Sequence, residues 1–414
     1  MNHTTFYKIK QDFANDMAVA PLSATIRREV LASGIRDQLE TGAKIAITGG
    51  SRGVWKIPEI LRTVGNTFAD LGMDPFVITA MGSHGGATEE GQLKVLKELG
   101  ITEESVGMPV RSTMQTRQIG KTDKGMPVYI DELVDKADGV FIVNRIKKHT
   151  DFHGAIESGL CKMMALGLGK VKQADLIHAN KVGDHSQVLE SLARVMIQTG
   201  KIVGGLAIVE NRLGQTAMLR GMSAEEIPDT EKEILKESYQ FFPRLPFEEA
   251  ELLLVQEMGK NISGTGMDPN VLGRLYIEGE SEPTTPNIQL VGVLELTKES
   301  EGNACGMGLA DFVTQRLLNA SNKQKTLLNT ITSNFVQRGK TPIAMGNDRE
   351  LIETALSCIQ GPHRNRPRVA IIRSTLQLEN LVVSQSLLES LAPSIKVLGE
   401  FPLEFNSSGH LSNL

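Results

Sequence analysis

Short apolar runs alternate along the chain with longer segments in which apolar residues recur at helical spacing. The first predicted strand is Lys44–Thr48, and the first predicted helix, Ile57–Leu71, has apolar residues three or four positions apart. A second strand, Pro75–Met81, precedes a second helix, Glu90–Leu99. Strands separated by helices of this length predict parallel crossovers and therefore an open α/β sheet.

The pattern continues to the end of the chain and predicts two domains. The further strands are Val128–Ile130, Gly139–Val143, Val203–Val209, Leu252–Glu257, Leu290–Leu296, Val369–Ile372 and Ile395–Val397. One more helix is predicted over Asn303–Leu318. Prolines interrupt the pattern at Pro243–Glu248, and 414 residues exceed one ordinary core. We therefore predict two α/β domains with mostly parallel sheets, 1–245 and 246–414, and an active site in the cleft between them.

Three polar segments follow predicted strands directly. The turn 49–53 (GGSRG) follows Lys44–Thr48, and the turn 82–86 (GSHGG) follows Pro75–Met81. The third segment, 144–180, follows Gly139–Val143 and contains three histidines and a lysine beside a cysteine: His149, His153, His178, Lys162 and Cys161. Because open α/β sheets bind ligands beyond the carboxyl ends of their strands, these segments form the predicted site.

Composition and charge narrow the class of protein. A net charge of −5 and a pI near 6.0 produce no general field that would attract nucleic acid. No apolar run has the length of a membrane span, and the first residues lack the apolar core of a signal peptide. Three cysteines are too few for a disulfide framework. These features predict a reduced, cytoplasmic protein that binds neither nucleic acid nor membrane.

Each candidate residue also has a structural explanation. Ser51 and Arg52 could help a Gly-rich turn to hold an anion, or the turn could simply join a strand to a helix. His84 lies between glycines that would let a ligand approach, yet it could be a solvated histidine. The spacing of His149 and His153 resembles half a zinc site, but no second pair completes it. Cys161 is predicted to be a buried structural thiol.

The order of these motifs resembles the nickel-pincer lactate racemase family. Residues 81–84 (MGSH) with 88–90 (TEE) resemble the family's G-[ST]-H…T-E-E segment, and 50–53 (GSRG) aligns with its T-R-P turn. Lys148-His149 aligns with its P-H motif, and 158–162 (SGLCK) aligns with its G-G-R-K motif. His178 lies sixteen residues after Lys162, which is the family's interval between cofactor lysine and nickel ligand. The similarity is clear over about residues 40–210.

The resemblance implies a mechanism. Lys162 would hold the pyridinium nickel-pincer nucleotide covalently, with Ser51 and Arg52 near the same group, and His178 would bind the nickel. His84 and His149 would act as general bases on opposite faces of a 2-hydroxy acid. Arg52 would also bind the substrate carboxylate. The implied activity is that of a racemase or epimerase.

The chain also departs from the family pattern. Gly49 replaces an acidic residue, Gly53 replaces a proline, and the interval from His149 to Lys162 is longer. In the second domain we expect Lys260 and Asn261, within a Gly-rich loop at 258–270, to contact the substrate. These departures leave the identity of the 2-hydroxy acid open, with lactate as one candidate.

Two alternative functions remain open from the sequence. One is a hydrolase or lyase that uses the same histidines, including His153, with an ordinary divalent metal. The other is a non-catalytic protein that binds the cofactor. For the racemase, the expected partners are the small-molecule substrate and cofactor-synthesis proteins, and a homodimer is left open.

Overall fold

A computed structural model describes residues 4–13, 16–35 and 39–413. The chain divides into two units. The N-terminal unit comprises Asp16–Phe242, and the C-terminal unit comprises Met1–Asn15 together with Pro243–Leu414. The sequence prediction placed the start of the chain in the first domain. In the structure the strand Phe6–Lys10 instead pairs, antiparallel, with two strands of the C-terminal unit.

The strands are numbered in chain order. They are β1 Phe6–Lys10, β2 Lys44–Gly49, β3 Asp74–Thr79, β4 Val110–Arg111, β5 Thr116–Lys121, β6 Pro127–Asp131, β7 Gly139–Arg145, β8 Ile202–Glu210, β9 Thr216–Met222, β10 Glu249–Met258, β11 Asn287–Leu296, β12 Phe312–Thr314, β13 Ile343–Met345, β14 Val369–Ile372, β15 Asn380–Ser384 and β16 Lys396–Glu400.

The α-helices are numbered in the same way. They are α1 Leu22–Ala32, α2 Ile57–Asp70, α3 Glu89–Glu98, α4 Glu103–Val106, α5 Glu132–Lys136, α6 Leu160–Lys162, α7 Gly169–His178, α8 His185–Gln198, α9 Ile227–Ser238, α10 Pro269–Leu272, α11 Gln315–Ala320, α12 Lys323–Ser333, α13 Asp348–Cys358 and α14 Gln385–Leu388. A π-helix, Met163–Leu168, joins α6 to α7.

The N-terminal unit is built on a six-stranded sheet with the order β4-β3-β2-β7-β8-β9. Its neighbours pair in parallel except β8 and β9, which are antiparallel. Successive residues of a strand point to opposite faces, and both faces are covered. Ala46, for example, packs into one apolar cluster, whereas Ile45 and Ile47 pack into the other. This burial explains why the strands are continuous apolar runs rather than alternating ones.

The C-terminal unit contains an eight-stranded mixed sheet with the order β13-β12-β11-β10-β14-β15-β1-β16. Strands from β13 to β14 are parallel, and the remaining pairings are antiparallel. The prediction of two α/β domains with mostly parallel sheets is confirmed. No helix in the described ranges is long and apolar enough to cross a membrane.

Most predicted elements occur within a few residues of their expected bounds, but two do not match. The predicted helix Asn303–Leu318 is wrong, because the segment contains a short 3₁₀ turn, then β12, and only then α11. Its apolar spacing arises from packing of β12 beside β11 rather than from one helical face. Val128–Ile130 is a strand, as predicted, but it pairs in a separate two-stranded sheet with β5.

Candidate active site

Three polar segments meet at one edge of the N-terminal sheet. β3, β2 and β7 are adjacent and parallel, so the segments that follow them leave the sheet on the same side. The Gly82 N–H donates to the Gly167 carbonyl at 3.4 Å, which joins the 82–86 turn to the π-helix after Lys162. A Cβ added to Gly50 would lie 3.0 Å from the Met163 methyl carbon, so the 50–53 turn packs against the same helix. The structure therefore brings the predicted segments together.

Lys162 contacts His149 directly. The Lys162 Nζ lies within hydrogen-bonding distance of His149 Nε2, although thirteen residues separate them. Burial lowers the pKa of Lys162 to about 8, and the charge of Arg52 acts in the same direction, whereas Asp151 opposes it. Burial and the charge of Lys162 hold the pKa of His149 well below its ordinary value. His149 is therefore neutral at pH 7, and Lys162 loses its proton at a much lower pH than an ordinary lysine does.

Glu157 organises the loop that carries His149. Its carboxylate is fully buried and accepts the backbone N–H groups of His149 at 2.6 Å and Gly154 at 3.1 Å. The Tyr239 hydroxyl donates to it at 3.3 Å, and His153 Nδ1 lies 3.4 Å away. A buried carboxylate requires such donors, since an unpaired charge would be costly. His153 is thus a partner of Glu157, and no sequence signal indicated that this carboxylate is important.

The exposed side chain of His84 stands on the neighbouring loop. Its Nδ1 lies 2.6 Å from the Ser51 hydroxyl oxygen, so two predicted residues from different turns form a hydrogen bond. The buried Gln92 amide donates to the Gly82 carbonyl at 2.8 Å and to the His84 carbonyl at 3.3 Å. Thr88, as predicted, begins the next helix, where its side chain accepts from the Gly91 N–H. The loop is therefore fixed from two sides.

Lys170 is a further buried residue of this region that sequence reasoning missed. It follows the π-helix, has a φ of 53°, and its side chain is fully buried. Its ammonium contacts the Thr79 carbonyl, Thr79 Oγ1 at 3.0 Å and Gln92 Oε1 at 3.1 Å. A non-glycine residue with positive φ is uncommon, and π-helical turns recur at functional sites. No sequence signal distinguishes this lysine from Lys172, which is exposed.

His178 is the last residue of α7, and its side chain is exposed. Partial desolvation by the surrounding protein and the nearby charge of Lys162 lower the pKa of His178, so the neutral imidazole prevails at pH 7. His185, by contrast, is buried and meets Phe152 edge to face, with ring centroids 5.4 Å apart. His178 is therefore the better placed of the two for a ligand from outside the core.

Cys161 is buried, as predicted, beside a second buried acid. The Cys161 N–H donates to Glu231 Oε2 at 2.8 Å, and Glu231 is fully buried on α9. Burial raises the pKa of Glu231 to about 7. The pKa of the Cys161 thiol is also raised, mainly by burial and in addition by the adjacent Glu231 carboxylate. The thiol is accordingly unreactive in ordinary conditions, which fits the structural role predicted for it.

Arg52 is exposed on the 50–53 turn. The positive charge of Arg145 acts on Arg52, and Arg145 itself forms an ion pair with Glu210. Lys260 and Asn261 belong to the C-terminal unit. There the Lys260 ammonium donates to the Gly264 and Cys305 carbonyls at 2.8 and 3.2 Å, and Asn261 Oδ1 accepts from a threonine hydroxyl. Both residues thus support their own loop, and their contact with substrate stays a prediction.

The residues present fit the cofactor that the resemblance implies. A lysine with a lowered pKa offers an amine for a covalent bond, and His178 offers one neutral imidazole for nickel. By the resemblance, the pincer would supply the remaining donors, so one protein ligand would be enough. Among the described residues, no group of three His, Cys, Asp or Glu side chains is arranged to hold a metal.

Comparisons with known proteins show what this chain resembles. Residues 16–188 match the family model described as the lactate racemase N-terminal domain. Among solved structures, the lactate racemase apoprotein from Thermoanaerobacterium thermosaccharolyticum matches with a TM-score of 0.50 and 11% sequence identity. The match covers 90% of this chain and 99% of that one, which shows a common fold. No curated protein matches.

Proposed function

We propose that this chain, whose residues 16–188 match the model of the lactate racemase N-terminal domain, racemises or epimerises a 2-hydroxy acid with a nickel-pincer nucleotide as cofactor. The observation that carries this proposal is the contact between Lys162 and His149 at the carboxyl edge of the sheet. It places the amine that would hold the cofactor beside an imidazole that would serve the substrate. Cofactor-synthesis proteins would supply the group.

Lys162 would bind the cofactor through its Nζ, and His178 would donate an imidazole nitrogen to the nickel. Ser51 and Arg52 lie on the adjacent turn and would contact the same group. When bound, the group accepts and returns the hydride of the substrate carbon, which is chemistry that no side chain of the protein can perform.

The protein's own residues would handle the protons and the position of the substrate. His84 would offer Nε2 to the substrate hydroxyl, because its Nδ1 is engaged with Ser51. His149 would serve the other enantiomer through its own Nε2. The Arg52 guanidinium would bind the substrate carboxylate through two parallel hydrogen bonds, with Lys260 and Asn261 as further substrate contacts.

No observation favours the two alternatives. A hydrolase or lyase with an ordinary divalent metal would draw several ligands from the protein, and His153 is instead engaged with Glu157. A protein that only carried the cofactor would have no use for two histidines on separate turns beside the lysine.

The proposal is tested on protein purified from a host that makes the cofactor. Intact mass and nickel content are measured, and pure enantiomers of lactate and larger 2-hydroxy acids are followed for racemisation. The wild type should carry an adduct with nickel and racemise one member of the panel. Lys162→Ala should lose the adduct and the activity, whereas Lys172→Ala, an exposed lysine nearby, should keep both. An adduct that persists in Lys162→Ala refutes the attachment site.

A further inference from the structure

The two ring nitrogens of His149 have different partners. Nδ1 accepts the backbone N–H of Asp151 at 3.0 Å, and Nε2 faces the Lys162 Nζ. The ring is held between these contacts, because it stacks on Phe152 with centroids 4.2 Å apart and its own N–H is bound by Glu157. The orientation of the imidazole is therefore fixed by several groups at once.

These contacts assign the proton on the ring. A backbone N–H can only donate, so Nδ1 carries no proton in this arrangement. A neutral imidazole then has its proton on Nε2 and donates to Lys162, which must be the free amine in order to accept. An ammonium at that position would set two donors against each other. The lowered pKa of His149 keeps the ring neutral, and the pKa of about 8 for Lys162 makes the free amine its main form above pH 8.

The same tautomer cannot act as a base. A base at the substrate hydroxyl needs the Nε2 lone pair, which the proton on Nε2 occupies. Acylation of Lys162 removes the acceptor that holds this proton on Nε2. The Nζ lone pair forms a bond to the acyl carbon, the bond from that carbon to its leaving group breaks, and one amine proton departs with the leaving group. The resulting amide nitrogen donates and no longer accepts.

Asp151 can stabilise the other tautomer as well. Its carboxylate Oδ2 lies 3.7 Å from His149 Nδ1, beyond hydrogen-bonding distance, and a small movement that also displaces the Asp151 N–H from Nδ1 would make it an acceptor for that nitrogen. We propose that Asp151 is a positioning residue that switches His149 from the Nε2–H to the Nδ1–H tautomer when Lys162 is acylated. The switch exchanges one proton with solvent at each nitrogen, so the charge of the ring is unchanged. The proposed switch depends on the proposed function only in taking His149 to be a base.

The switch has a consequence for the unloaded protein. While Lys162 is a free amine, His149 donates to it and is withdrawn from base catalysis. Once Lys162 is acylated, the Asp151 carboxylate holds the Nδ1 proton, and Nε2 carries a lone pair in place of its proton. Loading of the lysine and readiness of the base are therefore coupled through one ring.

The test reads the tautomer by long-range ¹H–¹⁵N NMR on histidine-labelled protein, with His149 assigned by a His149→Gln variant. One sample is the cofactor-free wild type, and the second has Nε-acetyllysine encoded at position 162. At pH 9, where Lys162 is mainly the free amine, we expect the Nε2–H form in the first and the Nδ1–H form in the second. The excess of Nδ1–H should be about tenfold or more, as expected for one hydrogen bond to a charged group.

Variants at position 151 separate this role from a merely structural one. Asp151→Ala keeps the backbone N–H but removes the acceptor, so acetylation should leave the ring in the Nε2–H form. Asp151→Asn restores an acceptor oxygen and should recover part of the switch. Asp175→Ala removes the same charge from an exposed residue of α7 and should switch like the wild type.

Several outcomes overturn the proposal: an Nδ1–H or doubly protonated ring in the cofactor-free protein at pH 9, no change after acetylation, or a complete switch in Asp151→Ala. The readout does not depend on turnover. A protein that switches but racemises no 2-hydroxy acid contradicts the proposed function alone. A protein that racemises without the switch contradicts this inference alone.

Discussion

Lys170 and Asp131 form an ion pair, Nζ to Oδ2 at 3.1 Å, in which both side chains are fully buried. Burial lowers the pKa of Lys170 and raises that of Asp131, and the attraction between the two charges opposes both shifts. The pair stands behind the His84 loop, because Lys170 also donates to Gln92, and Gln92 donates to the carbonyls of that loop. A charge pair in the core thus supports a catalytic candidate at the surface.

Lys170→Met should therefore lower both stability and activity. Removal of one partner leaves an uncompensated buried carboxyl group, which costs about 3–5 kcal/mol in the free energy of unfolding. Loss of the Gln92 contact should displace His84 and reduce kcat by about 10²-fold, with KM changed less. Urea unfolding and steady-state kinetics measure these effects. Lys172→Met, on the exposed side of the same helix, is the control and should match the wild type.

Glu231 should make stability depend on pH. Its pKa is raised to about 7 by burial, from an ordinary 4.5, so the folded protein holds this proton more tightly than the unfolded chain. The stabilisation is complete below pH 4.5 and is lost as the pH rises through about 7. Its size is about 3 kcal/mol, from 1.36 kcal/mol per pKa unit.

Glu231→Gln should remove this dependence, because the amide keeps an acceptor for the Cys161 N–H and does not ionise. The difference in unfolding free energy between variant and wild type is measured by urea titration from pH 5 to 8.5. We expect it to shift in favour of the variant as the pH rises. Glu233→Gln, exposed on the same helix, should show no such trend. If the difference in unfolding free energy stays constant from pH 5 to 8.5, Glu231 does not titrate in this range.

His178→Ala should lower the nickel content of the holoprotein strongly while Lys162 still forms its adduct. The reason is that the exposed, neutral imidazole at the end of α7 is the proposed protein ligand. Elemental analysis and intact mass are measured on the same sample. His153→Ala removes a histidine engaged with Glu157 and should retain nickel. Unchanged nickel in His178→Ala would direct attention to His153 or His185.

His84 and His149 should serve opposite enantiomers. They follow β3 and β7, which lie on either side of β2, so they approach the site from different loops. Each should contribute about 10²–10⁴-fold, the usual range for general acid–base catalysis. Alanine at either position should stop net racemisation, because a complete cycle uses both bases.

A single-turnover experiment distinguishes the two roles. Each holo-variant is mixed with each pure enantiomer, and the cofactor absorbance is followed. His84→Ala and His149→Ala should each still react with one enantiomer, and the preferred enantiomer should differ. Near wild-type racemisation by either variant, or identical failure with both enantiomers, would show that the two-base assignment is wrong.

Sequence reasoning predicted which segments meet at one edge of the sheet, because its signals are local. The glycines of the 50–53 and 82–86 turns and the histidines after β7 follow apolar runs directly, and parallel strands bring such segments to one edge. The predicted helix Asn303–Leu318 is wrong because the contacts that decide its structure are not local. The spacing of its apolar residues fits a helix, but the central residues pair with β11 and form a strand. A pairing between segments distant in the chain cannot be predicted from this spacing.

The sequence by itself determined the two α/β domains, the order of the site segments and the resemblance to the lactate racemases, because each depends on residues close in the chain. Only the tertiary structure decided which charges are buried and what they face. The sequence does not distinguish three buried charged residues from ordinary surface ones: Glu157, Lys170 and Glu231. The contact of Lys162 with His149 is of the same kind, since the free amine and the ring tautomer depend on burial and on partners that the fold alone supplies.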